Sequence, residues 1–313
     1  MPNLQDRMDL MPTYRLTRLA PTPSGFLHVG NLMSFVLTAG LARRHGASIL
    51  LRIDDLDRQR MRREYLDDIF DTLRFAGIPW DEGPRDADDF LRNWSQSHRQ
   101  PLYREALDHL RTTDAVFACT CSRSELFRTA ADNTYPGTCR FRRHALEAPG
   151  MAWRLMAEPA GRVRMRRPDG GDEVRDLPGE MRHLVVRKRG GDPSYQLASV
   201  VDDLHYRVDL VVRGEDLLPS TLAQLHVSGL LPPNPFGETS FLHHPLLRDA
   251  AGGKLSKSAG AASIRHLRLT GMDRMGLFRH LSCLLGMKEP ASDWGGLFEA
   301  WVRAGRAGGP SFH

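Results

Sequence analysis

Four cysteines in 313 residues are too few for a disulfide framework. No apolar run reaches membrane-spanning length, and the polar, Met- and Pro-containing start of the chain lacks the pattern of a secretion signal. No segment repeats, which excludes solenoids and propellers. Neither sign of charge dominates: 43 Lys and Arg face 38 Asp and Glu, for a net charge of +5. So small an excess permits a polyanionic partner such as RNA without requiring one. What remains is the composition of an ordinary globular protein, 41% hydrophobic and 26% charged. That is enough for one large catalytic domain with an insertion, or for two domains. We expect a reducing, cytoplasmic enzyme, monomeric and without a membrane partner.

The pattern along the chain predicts alternating strands and helices. A short strand over Tyr14–Leu19 enters a Pro- and Gly-rich turn, and an apolar helix follows over Leu32–Ala42. Arg43, Arg44, His45 and Gly46 fit its C-terminus, where basic groups meet the negative end of the helix and glycine stops it. Ser48–Ile53 is nearly continuous in apolar residues, as in a strand buried on both faces. Strand, loop, helix, strand is the opening of a doubly wound parallel sheet. Leu66, Ile69, Phe70 and Leu73 mark a second helix, 101–110 a third and 272–286 a later one; strand-like runs return at Leu184–Arg187 and Leu210–Val212. Residues 115–180 break the alternation and read as an insertion.

Two loops suit phosphate chemistry. In Arg18-Leu-Ala-Pro-Thr-Pro-Ser-Gly-Phe-Leu-His28-Val-Gly30-Asn31 a loop leaves a strand and opens a helix, so backbone N–H groups face an anion and His28 can donate to phosphate oxygens. In Gly252-Gly-Lys254-Leu-Ser-Lys257-Ser258 two lysines flank a serine in a Gly-rich segment. Such a cationic clamp favours a pentavalent phosphorus and departing pyrophosphate over ground-state ATP.

The cysteines are unevenly placed. Cys119, Cys121 and Cys139 cluster, whereas Cys283 stands alone. Three thiolates so spaced can surround one Zn²⁺, and a closed tetrahedral site then needs a fourth donor. His144 and Asp132 are available by type. Arginines crowd the stretch from Arg140 to Arg189, where a solvated face and a nucleic-acid-facing surface are both consistent readings.

With these motifs in order, the chain resembles the class I aminoacyl-tRNA synthetases. Arg18–Asn31 resembles their HIGH region and Lys254–Ser258 their KMSKS loop. The glutamyl branch is nearest, through Leu51-Arg-Ile-Asp-Asp-Leu-Asp57, Gly77-Ile-Pro-Trp-Asp-Glu-Gly-Pro84, Pro193-Ser-Tyr-Gln-Leu-Ala198, Val200-Val-Asp-Asp203 and Val212-Arg-Gly-Glu-Asp216, together spanning about residues 14–285. The resemblance implies an α/β fold: a Rossmann-type doubly wound parallel sheet with a zinc-containing inserted domain and a short helical C-terminal segment. Its parts would be a first Rossmann half at 14–114, the insertion at 115–182, a second half with the KMSKS-like loop at 183–260, and a helical end at 261–313. It implies glutamate binding by Arg18, Leu19, Ala20, Pro21, Thr22, Asp54, Tyr195 and Arg213. It implies ATP, with Mg²⁺, held by His28, Gly30, Asn31 and Lys257, and catalysis by His28, Lys254 and Lys257. For the metal it supplies Tyr135 as the fourth ligand beside Cys119, Cys121 and Cys139, because the bacterial glutamyl-queuosine tRNA(Asp) synthetases carry Cys-x-Cys…Tyr-x3-Cys.

Only 55 residues follow Ser258, which leads us to expect no anticodon-binding domain and a stand-alone paralogue. In that family glutamate is activated without tRNA and joined to queuosine in the anticodon loop of tRNA(Asp). A truncated glutamyl-tRNA synthetase charging an acceptor end, and a weakly catalytic RNA-binding or regulatory paralogue, are the alternatives. So is an unrelated adenylate-forming ligase on the same fold. Three positions depart from the glutamyl pattern: Asp54 where Glu is usual, Asn31 in place of the second signature histidine, and His183 where an acid is expected. Asn31 is typical of the short paralogues.

Overall fold

The computed structural model describes residues 13–122, 134–156, 161–247 and 263–305. Its larger sheet has six strands in the order β2-β1-β8-β9-β5-β6. These are β1 (Leu16–Leu19), β2 (Ser48–Leu51), β5 (Arg162–Arg166), β6 (Asp172–Asp176), β8 (Leu210–Gly214) and β9 (Ser240–His244). Strands β2, β1, β8, β9 and β5 run parallel, and β6 returns antiparallel along the edge. The sheet is therefore mixed rather than purely parallel, because β5 and β6 are joined by a tight turn and can pair only as a hairpin. The smaller sheet is antiparallel, β3 (Val116–Cys119), β4 (Ala152–Leu155) and β7 (Val185–Arg187), in that order. Residues 115–187 thus supply both sheets. Strand β5 joins the larger one because its inward Val163 and Met165 bury in the same apolar cluster as Leu222, Leu225 and Phe236.

Helix α1 runs over Val29–His45, three residues longer at each end than its apolar run. His28 caps it: its side chain accepts from the backbone while Asn31 Oδ1 accepts from His28 N. Twelve of its residues are buried, so it is a core helix rather than an amphipathic one. Helix α2 (Arg63–Ala76) turns Leu66, Ile69, Phe70 and Leu73 inward, α3 (Gln100–Thr112) buries Tyr103 and Leu107, and α4 (Tyr195–Tyr206) and α5 (Leu218–Gly229) flank β8 in sequence. Three further helices, α6 (Ile264–Leu269), α7 (Arg274–Leu284) and α8 (Trp294–Arg303), follow. Helix α8 packs back on α1 so closely that a Cβ at Gly40 would lie 2.1 Å from the Phe298 ring. No helix among the described residues is long and apolar enough to cross a membrane.

The strand order places the site. The chain leaves β1 toward β2 on one side, whereas β8 leads to β9 on the other. A crevice opens at such a switch point, beyond the C-terminal ends of the diverging strands.

Candidate active site

The ends of β1 and β8 carry Arg18 and Arg213, and between them and the start of α1 lies a cleft of about 570 Å³. Arg18, Leu19, Ala20, Pro21, Thr22, His28, Gly30, Asn31, Tyr195 and Arg213 all line it. Backbone bonds fix the loop's path, Arg52 N donating to Leu19 O at 2.9 Å and Asp54 N to Pro21 O at 3.0 Å. Gly30 N donates to His28 Nδ1 at 3.0 Å, so a neutral imidazole carries its proton on Nε2 and keeps that nitrogen as a donor. The positive end of α1 reinforces a preference for anions here.

Arg213 is 4% exposed and has no acidic partner among the described residues. Its Nη2 donates to Gln224 Oε1 at 2.8 Å, while Nε and Nη1 have no partner. Burial away from counter-charge pushes this guanidinium down to about 10, still protonated at neutral pH. A buried cation with unmade donors on a cleft wall is built for an incoming carboxylate or phosphate. Tyr195, the first residue of α4, is 42% exposed on the same wall.

Arg18 is held differently. Its Nε lies 3.3 Å from Asp203 Oδ1, which also accepts from Arg52 Nη1 at 2.6 Å. Asp203 Oδ2 is buried without a partner. Asp54 does not line the cleft: both its oxygens accept from Arg52, at 2.9 and 3.0 Å. A carboxylate one methylene shorter than Glu reaches the guanidinium two residues before it. Burial raises the Asp54 carboxyl above its ordinary value, against the pull of Arg52. Asp203 and Arg52 sit in segments singled out by motif but were given no role there. Two adjacent acids directly after the buried stretch Leu197–Val201, Asp202-Asp203, are the signal that points to a buried network.

The cleft also contains Ser24 and Asp216, which lie in the quoted motifs without an assigned role, and Ser34 and His244, which motif spacing does not flag. His244 Nδ1 donates to Pro245 O at 2.9 Å, so its Nε2 accepts from the Ser34 hydroxyl at 2.8 Å. Burial pushes this imidazole down, keeping it neutral. Lys254, Lys257 and Ser258 lie outside the described residues. The described residues on either side of that segment both meet the site: Leu247 lines the cleft, and Ser263 bridges His28 while Ile264 N donates to Leu27 O at 2.8 Å.

The cysteine group forms beside β3. The Sγ atoms of Cys119, Cys121 and Cys139 all lie within 4.8 Å of one another. The Tyr135 hydroxyl is 3.6 Å from Cys119 Sγ, 4.0 Å from Cys121 Sγ, and accepts from Cys139 N at 2.8 Å. Gly137, at φ 78°, lets the chain turn from Tyr135 to Cys139. Burial alone would raise the Cys139 thiol, but hydrogen bonds from Tyr135, Thr120 and Cys121 bring it to about 6, whereas burial and its cysteine neighbours push Cys121 to about 11. Three soft sulfurs and a phenol oxygen facing one point fit a tetrahedral zinc donor set. His144 is not in the group, and Asp132 lies outside the described residues.

The family described as "tRNA synthetases class I (E and Q), catalytic domain" matches residues 15–293. The chain is 39% identical over 287 residues to a glutamyl-Q tRNA(Asp) synthetase of Nitratidesulfovibrio vulgaris, covering 86% of each protein. It is 41% identical over 248 residues to the protein of that name from Methylococcus capsulatus, covering 79% of this chain and 77% of that one. A glutamate–tRNA ligase 2 of Gluconacetobacter diazotrophicus is 35% identical over 285 residues, covering 88% of this chain but 62% of the relative. Among solved structures, a glutamate-tRNA synthetase from Elizabethkingia anophelis superposes with a TM-score of 0.65 at 23% identity, which shows a shared fold. This chain covers 54% of that one, about half its length.

Proposed function

Since this chain belongs to the class I tRNA synthetases of the glutamate and glutamine branch, and is an enzyme of the synthetase type, we propose that it activates L-glutamate with ATP and passes the glutamyl group to queuosine in the anticodon loop of tRNA(Asp). The observation that carries the first half is Arg213, a buried guanidinium with unmade donors across the cleft from the N-terminus of α1. Support for the second half is the match to relatives named glutamyl-Q tRNA(Asp) synthetase, which runs over most of both proteins.

In this reading Arg213 and Tyr195 bind one carboxylate of glutamate, and Arg18, fixed by Asp203, steers the other. Asp54 serves the ammonium group only by giving up a contact to Arg52. The ATP phosphates lie at Gly30, Asn31 and His28. A glutamate carboxylate oxygen attacks the α-phosphorus in line, the bond to the β-phosphate oxygen breaks, and pyrophosphate leaves from glutamyl-adenylate. His28 Nε2 donates to the departing charge. Mg²⁺ bound with ATP neutralises the phosphates. Lys257, with Lys254 beside it, completes the clamp: a segment of fifteen residues anchored at Leu247 and Ser263 has ample reach. A hydroxyl of the queuosine cyclopentene ring then attacks the activated carbonyl, and AMP departs. No protein nucleophile is needed, since positioning and charge supply the rate.

Glutamate-dependent ATP–pyrophosphate exchange is expected without any tRNA, and its absence would overturn the reading. Labelled glutamate should join tRNA(Asp) that contains queuosine and not the same tRNA without it. Equal labelling of both, or labelling of tRNA(Glu) alone, would instead favour a synthetase that charges an acceptor end.

Zinc is proposed to sit among Cys119, Cys121, Cys139 and Tyr135, where it would tie β3 to the turn that follows Gly137. Metal analysis should find about one zinc per chain. Cys121→Ser should reduce that to a small fraction, and an unchanged content would remove the site.

A further inference from the structure

Phe141 is the most exposed large hydrophobic side chain among the described residues, at 81%. It adds nothing to the apolar clusters, yet its backbone is held. It closes the 3-10 turn Thr138–Phe141, where Arg140 N donates to Gly137 O at 2.9 Å and Arg142 N to Cys139 O at 3.1 Å. Cys139, two residues before it, is buried in the sulfur group. The ring therefore stands on a fixed base.

Its surroundings are cationic. Arg140 precedes it, and Arg142 and Arg143 follow, both exposed. Among the described residues neither Arg142 nor Arg143 has an acidic partner, a state they share with exposed Arg92 and Arg104; what sets them apart is their place directly after an exposed aromatic ring. Glu147, the nearest acid along the described chain, is engaged by Arg111. Across the sulfur group, the Arg189 guanidinium donates to Thr120 O, and the Thr120 hydroxyl lies 3.9 Å from Cys139 Sγ. Two exposed arginines next in sequence to one exposed aromatic ring match a polyanion whose bases are open for stacking. Duplex RNA hides its base faces, so a loop fits and a helix does not.

We propose that Phe141 is a stacking platform for an unpaired base of an RNA loop, with Arg142 and Arg143 on the flanking phosphates. This deepens the reading of an RNA substrate given above and rests on it. Stacking gives the ring its ligand, and the arginines supply a salt-dependent attraction that carries no base preference.

The test uses the full chain and two RNA probes: a hairpin carrying a fluorescent purine analogue in its loop, and the same sequence fully paired with its complement. Wild type should prefer the hairpin and quench the purine. Phe141→Ala should weaken hairpin binding by about tenfold, abolish the quench and leave the salt slope unchanged. Phe141→Trp should restore both binding and quench. Arg142→Ala should lower the salt slope by about one. Equal binding of hairpin and duplex by wild type, or an unchanged quench in Phe141→Ala, overturns the platform. Glutamate-dependent exchange without RNA is read separately on wild type. Exchange without a loop preference removes the platform and leaves activation standing, while loop preference without exchange does the reverse.

Discussion

Arg213→Met is expected to lower kcat/KM for glutamate in pyrophosphate exchange by about 10²–10³-fold, the loss for a buried charge pair deprived of one partner. The thermal midpoint should be equal to or above that of wild type. The two results follow from one fact, that no acid of the described chain neutralises this guanidinium and its Nε and Nη1 are unmade. Without substrate, the cation is desolvated at a cost to the fold, and methionine of similar length relieves that cost. The substitution also removes one hydrogen bond, to Gln224 Oε1. A neutral acceptor left unpaired costs less than an unpaired charge, so the balance favours the variant. Exchange kinetics with a thermal scan checks both halves. Activity within tenfold of wild type would show that glutamate does not use Arg213.

Asp202→Asn should do the opposite, damaging the fold before the site. The Asp202 side chain is fully buried on α4 and accepts from Arg99 at 2.7 and 3.1 Å, from the Tyr103 hydroxyl at 2.6 Å and from Gln96 Nε2 at 2.9 Å. An amide there cancels the charge opposite Arg99 and turns a donor toward other donors. Breaking such a buried pair costs about 3–5 kcal/mol, a fall of roughly 6–20 °C in thermal midpoint for a domain of this size. The pH dependence has a definite sign. Burial alone would raise the Asp202 carboxyl, but Arg99, Arg52 and Tyr103 together hold it below its ordinary 3.8. A depressed native value means that its contribution is complete above the unfolded value and is lost as pH falls through the native one. The difference in midpoint between wild type and variant should therefore be constant near neutrality and shrink only below about pH 4. A difference that shrinks at neutral pH would show that Asp202 is not the ionised partner of Arg99.

The chemistry was more legible in the sequence than the architecture. His28 and its loop could be read because a strand, a Gly-rich turn and an apolar helix are local patterns. The helix ends at His45 with Gly46 as its cap, as the basic residues and glycine there predict, but begins three residues before its apolar run because the His28 side-chain cap adds residues that hydrophobic spacing does not register. The cysteines could be read from spacing, and Tyr135 only through family resemblance, since a phenol carries no metal-ligand signal of its own. The broken alternation assigns β5 and β6 to an insertion, yet they extend the main sheet. Strand pairing depends on contacts between distant residues, and no local period encodes them.

The sequence by itself determined the local pieces: a phosphate-facing loop at the start of a helix, a pair of lysines, three thiols, and arginines at strand ends. Period, turn chemistry and residue type act over a few residues and survive without the fold. Only the tertiary structure decided which charges meet. It paired Asp54 with Arg52, set Asp203 between Arg52 and Arg18, and, among the described residues, left Arg213 without an acid. The reason is that a charge in a dry interior interacts strongly with whichever group lies a few ångströms away. That neighbour is chosen by the order of strands and the length of a side chain rather than by position along the chain.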